Sequence, residues 1–460
     1  MEVYLVGGGL RDLMACGSIS DYDFAVKEGA KEIAFALAAE IKGSAFELGR
    51  GDKGCFRVAI KQNEKLLEID FSPFKDDTIE KDLKKRDFTI NAMALSVREL
   101  FEDENPGVLD PLDGRQDMKS GRLRLVSGEA IDEDPLRILR GFRFAAIFSM
   151  KPDDDFISLA GEKRGKLVSV ARERVRTEFF KMLAAESSYR QVMAMAETGV
   201  LSEIIPHISS WEEIDQGERH SFALLEHSLK TLEYVEEILG AADGPFSLYN
   251  KQLVSHLEEE LEYGINRRAM LKFAALLHDS GKPSTLEIRD EKVTFYNHEE
   301  EGAKINGKIA ADLRIGRGAR NTLLNITRQH MRMLHLSKLD KISTKASNRF
   351  IRDCGDELPE ILLLALADTW ATRDSRDVDY TDVEGAVSFM LRLWVNRPEV
   401  PKEPFLNGYE VMEVTGSKEG LEVGRYLALL ADAEIDGLVS SKTEARQYLK
   451  KLLNARFEND

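Results

Sequence analysis

Near residue 130 the apolar residues of this 460-residue chain change their period. Before that point, short β-branched and aromatic runs at 3–6, 24–26, 56–60 and 66–71 alternate with helical segments such as 31–41, which predicts a mixed α/β head. After Glu129 the strand signals stop. Apolar residues then recur every three or four positions over 135–148, 172–183, 222–239, 269–277, 323–331 and 358–370, the spacing that buries one face of a helix. The expected fold is therefore α+β, an α/β head followed by a mostly α-helical body. Breaks are expected at 240–245, at 264–266 and at the proline-rich 396–404. These boundaries suggest a head at 1–130, a helical neck at 131–215, a helical domain at 216–395 and a tail at 396–460.

The 81 acidic residues outnumber the 64 Lys and Arg, a formal charge of −17, which taken globally disfavours a polyanion as partner. Three cysteines, Cys16, Cys55 and Cys354, exclude a disulfide framework and fit a reducing cytoplasm. The N-terminus lacks a signal-peptide pattern, and no window is apolar enough for a membrane span, so a cytoplasmic protein without a membrane partner is expected.

Two segments of the head carry chemistry. Val3–Val6 followed by Gly7-Gly8-Gly9-Leu10-Arg11-Asp12 reads as strand, glycine turn and helix start, where backbone amides can approach a phosphate and the helix adds its positive end. In Asp21-Tyr22-Asp23 the acids are two apart on a strand, share a face and can converge on a divalent cation. Either Glu68 or Asp70, which share a face of a later strand, could complete a two-metal cluster.

These segments form part of an ordered series: Gly7–Asp12, Asp21–Asp23, Lys85-Arg86-Asp87-Phe88-Thr89-Ile90-Asn91-Ala92, Asp110–Gly114, Glu133-Asp134-Pro135-Leu136-Arg137 through Arg140 and Phe142–Phe144, and Arg172–Arg176. The series resembles the class II nucleotidyltransferases, the bacterial tRNA CCA-adding enzymes and poly(A) polymerases, whose head is polymerase β-like. The resemblance implies template-independent transfer of C, or of C and A, from CTP and ATP to the 3′ end of tRNA. It makes Asp21 and Asp23 the magnesium-holding acids and favours Asp70 over Glu68 as the third catalytic carboxylate. It assigns nucleotide binding to Gly7, Gly8, Arg11, Arg86, Asp87 and Asn91, the last two four apart on an expected helix face. Asp134 and Arg137, expected three apart on a helix, become the pair that reads the base edge, with Arg140 as support or phosphate contact. Between the third-carboxylate strand and the helix expected to contain Arg86 the chain has only residues 71–84, shorter than the loop of members that add all of CCA or only A, and so resembles CC-adding enzymes. Poly(A) polymerase and A-adding enzymes are the alternatives within the family.

In the body, His227, His278-Asp279, His298, His330 and Asp368 lie in apolar helical contexts, and imidazole with carboxylate suits nickel, manganese, zinc or iron. The order His227, His278-Asp279 and Asp368, with Gly281-Lys282, resembles the HD phosphohydrolases. That resemblance implies a second divalent metal on these four residues, with His298 and His330 as second-metal or substrate residues. A metal-dependent phosphohydrolase is accordingly the alternative function of another class. Two basic stripes qualify the global charge: ten Lys or Arg against only Asp340 in 313–352, and seven against three acids in 162–181. Such stripes suit RNA phosphates. The sequence leaves the oligomeric state open.

Overall fold

The computed structural model describes residues 2–17, 19, 22–48, 54–62, 65–103, 106–211, 214, 222–241, 246–290, 292–372, 381–396, 405–435 and 437–457. Asp21, most of the 240–245 break and the 397–404 linker lie outside the described residues. The chain divides into two compact units, Met1–Ser209 with Asp312–Ile315, and Ser210–Ala311 with Gly316–Asp460.

The first unit is built on a seven-stranded sheet of β1 (Val3–Val6), β2 (Tyr22–Val26), β3 (Ser44–Leu48), β4 (Cys55–Gln62), β5 (Lys65–Pro73), β6 (Ala94–Ser96) and β7 (Val108–Leu109), in the order β3-β4-β5-β2-β1-β6-β7. Only β2 and β5 pair in parallel. Along β4 the alternation sends Phe56 and Val58 to the face where Ala30, Ala34 and Ala38 of α2 (Ala30–Glu40) bury their small side chains. Residues of the opposite phase, Arg57, Asp70 and Asp23, share the other face. Beyond the sheet, Phe88, Phe142, Phe144 and Phe156 pack edge to face in an aromatic core. Gly141 sits inside that core. A Cβ there would lie 2.3 Å from Cζ of Phe156, so the helix Arg137–Ile147 reaches the core only through glycine.

Helices do dominate after Glu129, but the strands do not stop. Arg122–Leu123 pairs in parallel with Lys151–Pro152, and antiparallel hairpins join Glu260–Glu262 to Ile265–Asn266 and Glu287–Arg289 to Lys292–Thr294. The expected break at Gly264 is the turn of the first hairpin, where its φ of +78° suits glycine. Two- and three-residue strands carry too little alternation to register as a period.

The second unit is helical. Its helices Leu224–Gly240, His298–Asp312, Arg317–Ser337 and Leu358–Ala371 carry His227, His298, His330 and Asp368, and the turn that follows helix Arg267–Leu277 carries His278 and Asp279. The tail forms its own small core of Leu406, Val411, Leu430, Ala445 and Leu449, opened by an Asn407/Glu410 capping box. Among the described residues no helix is long and apolar enough to cross a membrane.

Candidate active centres

In the first unit, helix α1 (Gly7–Cys16) begins where β1 ends, with Gly7 at φ +66°. A Cβ on Gly7 would stand 3.1 Å from Nη1 of Arg86 and 3.4 Å from Oδ2 of Asp23, so the backbone comes close to both a guanidinium and a carboxylate. Asp23 and Asp70 are register partners on the parallel strands β2 and β5, and Arg57 is the partner of Asp70 across β4. The Arg57 guanidinium takes both oxygens of Asp70, Nε to Oδ1 at 2.8 Å and Nη2 to Oδ2 at 2.9 Å, while Nη1 reaches Glu68 at 2.7 Å. The hydrogen bond to Asp70 is the main reason the Arg57 pKa rises.

A buried chain of hydrogen bonds runs beside this row. Nη1 of Arg11 donates to Asn91 Oδ1 at 2.7 Å, Asn91 Nδ2 donates to Asp87 Oδ1 at 3.0 Å, and Nε and Nη2 of Arg140 donate to Asp87 Oδ2 at 2.8 and 2.6 Å. Arg11 is also held over the rings of Phe144 and Phe148, at 5.1 and 4.3 Å from their centroids. Burial alone would raise the Asp87 carboxyl, but Arg140, Asn91 and the Phe88 amide together hold it at about 2.

Three expectations need correction. Asp87 and Asn91 do not share an α-helix: Asn91 ends a single 3-10 turn, Thr89–Asn91, that folds it back onto Asp87. Arg86 lies beyond helix α3 (Ile79–Leu83), where Asp82 holds it at 3.1 Å. Asp134 lies outside the helix that begins at Arg137, and its backbone carbonyl, not its side chain, accepts from the Arg137 amide at 3.0 Å. Instead Asp134 Oδ2 accepts from Arg174 at 2.9 Å, and Arg137, 8 % exposed, donates to the carbonyls of Ala130 (3.1 Å) and Lys85 (2.9 Å) and to Glu133 at 3.2 Å. Pro135 explains the break, since a proline disfavours helical backbone in the residue before it.

The motif Asp110–Gly114 has a structural task. Asp110 accepts from the amides of Gly114 (2.7 Å) and Arg115 (2.9 Å), and a Cβ on Gly114 would lie 2.2 Å from the Thr89 carbonyl oxygen. Asp117 then accepts from Thr89 Oγ1 at 2.6 Å, fixing the turn that presents Asn91. Arg57 went unread in the sequence, although its opposite phase to Phe56 and Val58 marked it as facing the acids.

The second unit gathers all six of its singled-out residues. His227, His278 and Asp368 form one group able to hold a metal ion, and Asp279, His298 and His330 form another; all are buried. Oδ2 of Asp279 is 3.1 Å from His278 Nε2, and Oδ1 is 3.2 Å from His298 Nε2, so the one carboxylate faces both groups. Nδ1 of His278, His298 and His330 lies 2.9, 2.8 and 2.7 Å from the carbonyls of Ala275, Phe295 and Thr327. A carbonyl only accepts, so these contacts place a proton on Nδ1 and turn each Nε2 inward, where it presents a lone pair once its own proton is lost. Burial lowers the His278 pKa, but Asp279 and Asp368 outweigh it and lift it to about 10. His278, Lys282 at 2.6 Å and His298 in turn hold Asp279 well below the usual carboxylate range despite its burial. At neutral pH a second proton on the His278 ring supplies the positive charge that the two carboxylates favour, in the place a metal cation would take. Behind the ligands, buried Asn306 accepts from Ser280 Oγ at 2.8 Å and donates to the Leu277 carbonyl and Thr327 Oγ1, both at 3.0 Å.

The 313–352 stripe is less one-sided in space. Asp353, just past its end, pairs with Arg332 and Arg352, each at 2.9 Å, and approaches Arg349 at 4.0 Å.

Three segments of the chain match known domain families. Residues 3–124 match the poly A polymerase head domain, 159–212 the probable RNA and SrmB-binding site of polymerase A, and 224–373 the HD domain. An A-adding tRNA nucleotidyltransferase of Deinococcus radiodurans is 30% identical over 457 residues, covering 97% of this chain and 94% of the relative. The chain belongs to the tRNA nucleotidyltransferase family. Another member, a CC-adding tRNA nucleotidyltransferase of Geobacter sulfurreducens, is 28% identical over 452 residues, covering 97% and 91% of the two chains. The Thermotoga maritima CCA-adding enzyme, solved in complex with tRNA, superposes with a TM-score of 0.60 at 20% identity over 98% of this chain and 91% of that one, a likeness of fold.

Proposed function

We propose that this tRNA nucleotidyltransferase adds C, or C and A, from CTP and ATP to the 3′ end of tRNA in the cytoplasm without a template. The observation that carries the reading is the juxtaposition of Asp23 and Asp70 on adjacent parallel strands, with the Gly7 backbone close to both Asp23 and Arg86. An all-carboxylate donor set fits magnesium, which Asp21, Asp23 and Asp70 would hold. Bound there, magnesium supplies an acidified 3′-hydroxyl and charge compensation on pyrophosphate.

The protein's own groups do the rest. The glycine turn of Gly7 and Gly8 offers backbone amides, and Arg11 and Arg86 offer guanidinium donors, to the triphosphate. The Arg11–Asn91–Asp87–Arg140 chain fixes Arg11, Asp82 holds Arg86, and the chain orients the ribose side of the nucleotide. Asp134 and Arg137 supply an acceptor and donors for a base edge after exchanging their present partners, Arg174 and the Ala130 and Lys85 carbonyls. The chain's four parts are then a head (1–130), a neck with the base reader (131–215), an HD domain (216–395) and a tail (396–460). The odd cysteine count supports the cytoplasmic setting.

Residues 74–78 alone connect β5 to α3, and this short link favours C addition over a switch to A. The A-adding relative supports A addition as the second reading. The HD centre, with nitrogen and oxygen donors, fits nickel, manganese, zinc or iron on His227, His278, Asp279 and Asp368, with phosphate-ester hydrolysis as its chemistry. Incubating the protein with tRNA lacking CCA, and with tRNA ending in CC, tests the proposal. Growth by two residues with CTP alone and none on adding ATP identifies CC addition. Growth by one residue with ATP on the CC-ended tRNA identifies A addition. No extension of either tRNA overturns the transferase reading.

A further inference from the structure

Arg57 occupies a position for which neither polymerisation nor phosphate binding accounts. It lies in one row with Asp70 and Asp23 across the adjacent strands β4, β5 and β2, on the face away from helix α2. All three are strand residues, so their separation is set by the ladder. The planar guanidinium grips both Asp70 oxygens through Nε and Nη2, at 2.8 and 2.9 Å, and its remaining nitrogen reaches Glu68 at 2.7 Å. This fork leaves Asp70 one orientation. Each carboxylate oxygen has two acceptor positions, so the grip leaves one on each oxygen for a second cation. The side chains of Arg57, Asp70 and Glu68 are only 20 to 42 % exposed, which limits how far water screens them.

We propose that Arg57 is a positioning residue of the polymerising site, an internal cation that orients Asp70 beside Asp23 and competes with the divalent metal for it. The guanidinium thereby does two separable things. Its charge weakens binding of a divalent cation to the acids, and its bidentate geometry fixes the carboxylate that the reaction uses. A merely structural arginine would change stability and leave both metal affinity and turnover where they are. The inference rests on the transferase reading given above.

The test uses the full chain, titrated with Mn2+ alone and followed by electron paramagnetic resonance, beside tRNA extension at saturating magnesium. The HD centre contributes the same manganese sites to every protein compared, so differences report the head. Arg57→Gln removes the charge and the fork: Mn2+ binding at the head tightens roughly fivefold, the scale of one partly exposed ion pair, while kcat falls. Arg57→Lys keeps the charge in nearly the same place without the fork. It leaves Mn2+ affinity within about twofold of the parent and still lowers kcat, and its ammonium preserves the fold should the glutamine variant lose it. Unchanged or weaker Mn2+ binding in Arg57→Gln, or parental kcat in Arg57→Lys, overturns the proposal. A parent protein that extends no tRNA refutes the transferase reading instead, and the manganese titration still decides whether Arg57 competes for the acids.

Discussion

Replacing Asp87 with asparagine should destabilise the head and remove a defined part of its pH dependence. The carboxyl is buried, yet its pKa falls from an ordinary 3.8 to about 2 because Arg140, Asn91 and the Phe88 amide all favour the charged form over the burial that opposes it. A shift of about two units corresponds to about 2.5 kcal/mol at neutral pH. Because the folded pKa lies below the unfolded one, this contribution is complete above about pH 4 and lost as the pH falls towards 2. An independent route gives a similar figure. Asparagine can keep one oxygen on the Phe88 amide and Asn91 but cannot accept both Arg140 donors as a charge, and breaking a buried pair costs about 3–5 kcal/mol. Arg140 keeps 35 % of its side chain exposed and recovers water, so about 2–3 kcal/mol is expected. Trp211, Trp370 and Trp394 all belong to the second unit, so intrinsic tryptophan fluorescence does not report this site. Amide hydrogen exchange over β6 and the Arg137–Ile147 helix does, and should show protection reduced by that amount at pH 7. A loss below about 0.5 kcal/mol, or a variant as acid-sensitive as the parent between pH 4 and 2, would refute the reasoning.

The two centres should separate by mutation. Asp23→Ala should abolish tRNA extension and spare any phosphate-ester hydrolysis, whereas His278→Ala should do the reverse, as measured by parallel extension and hydrolysis assays. Gly281→Ala puts a Cβ 2.0 Å from the His298 carbonyl oxygen and 2.6 Å from the Gly302 amide nitrogen, so metal analysis of the purified protein should show the HD centre depleted. Phe156→Ala empties the aromatic core around Phe88 and Phe142 and should cost about 3–5 kcal/mol by hydrogen exchange of the head.

Legibility followed the range of the interactions. The glycine turn, the alternation that puts Glu68 and Asp70 on one face, and the succession His227, His278-Asp279, Asp368 are patterns of neighbouring or ordered residues, and each was readable before any coordinates. What the neighbours of a side chain do to it was not. Asp134 and Arg137, three apart in sequence, face different partners because Pro135 interrupts the backbone between them. Asp353 pairs with two arginines of a basic stripe from one residue outside it.

By itself the sequence determined the division into an α/β head and a helical body, since hydrophobic period is a local property that each segment carries on its own. It also determined which residue types could bind phosphate or metal. Only the tertiary structure decided which of them meet: Arg57 reaches Asp70 through strand register, Arg11 reaches Arg140 through Asn91 and Asp87, and Asp279 comes to face four imidazoles from three other helical segments as well as its own. Such contacts join residues far apart along the chain, and their distances are set by sheet register and helix packing, which no linear spacing encodes.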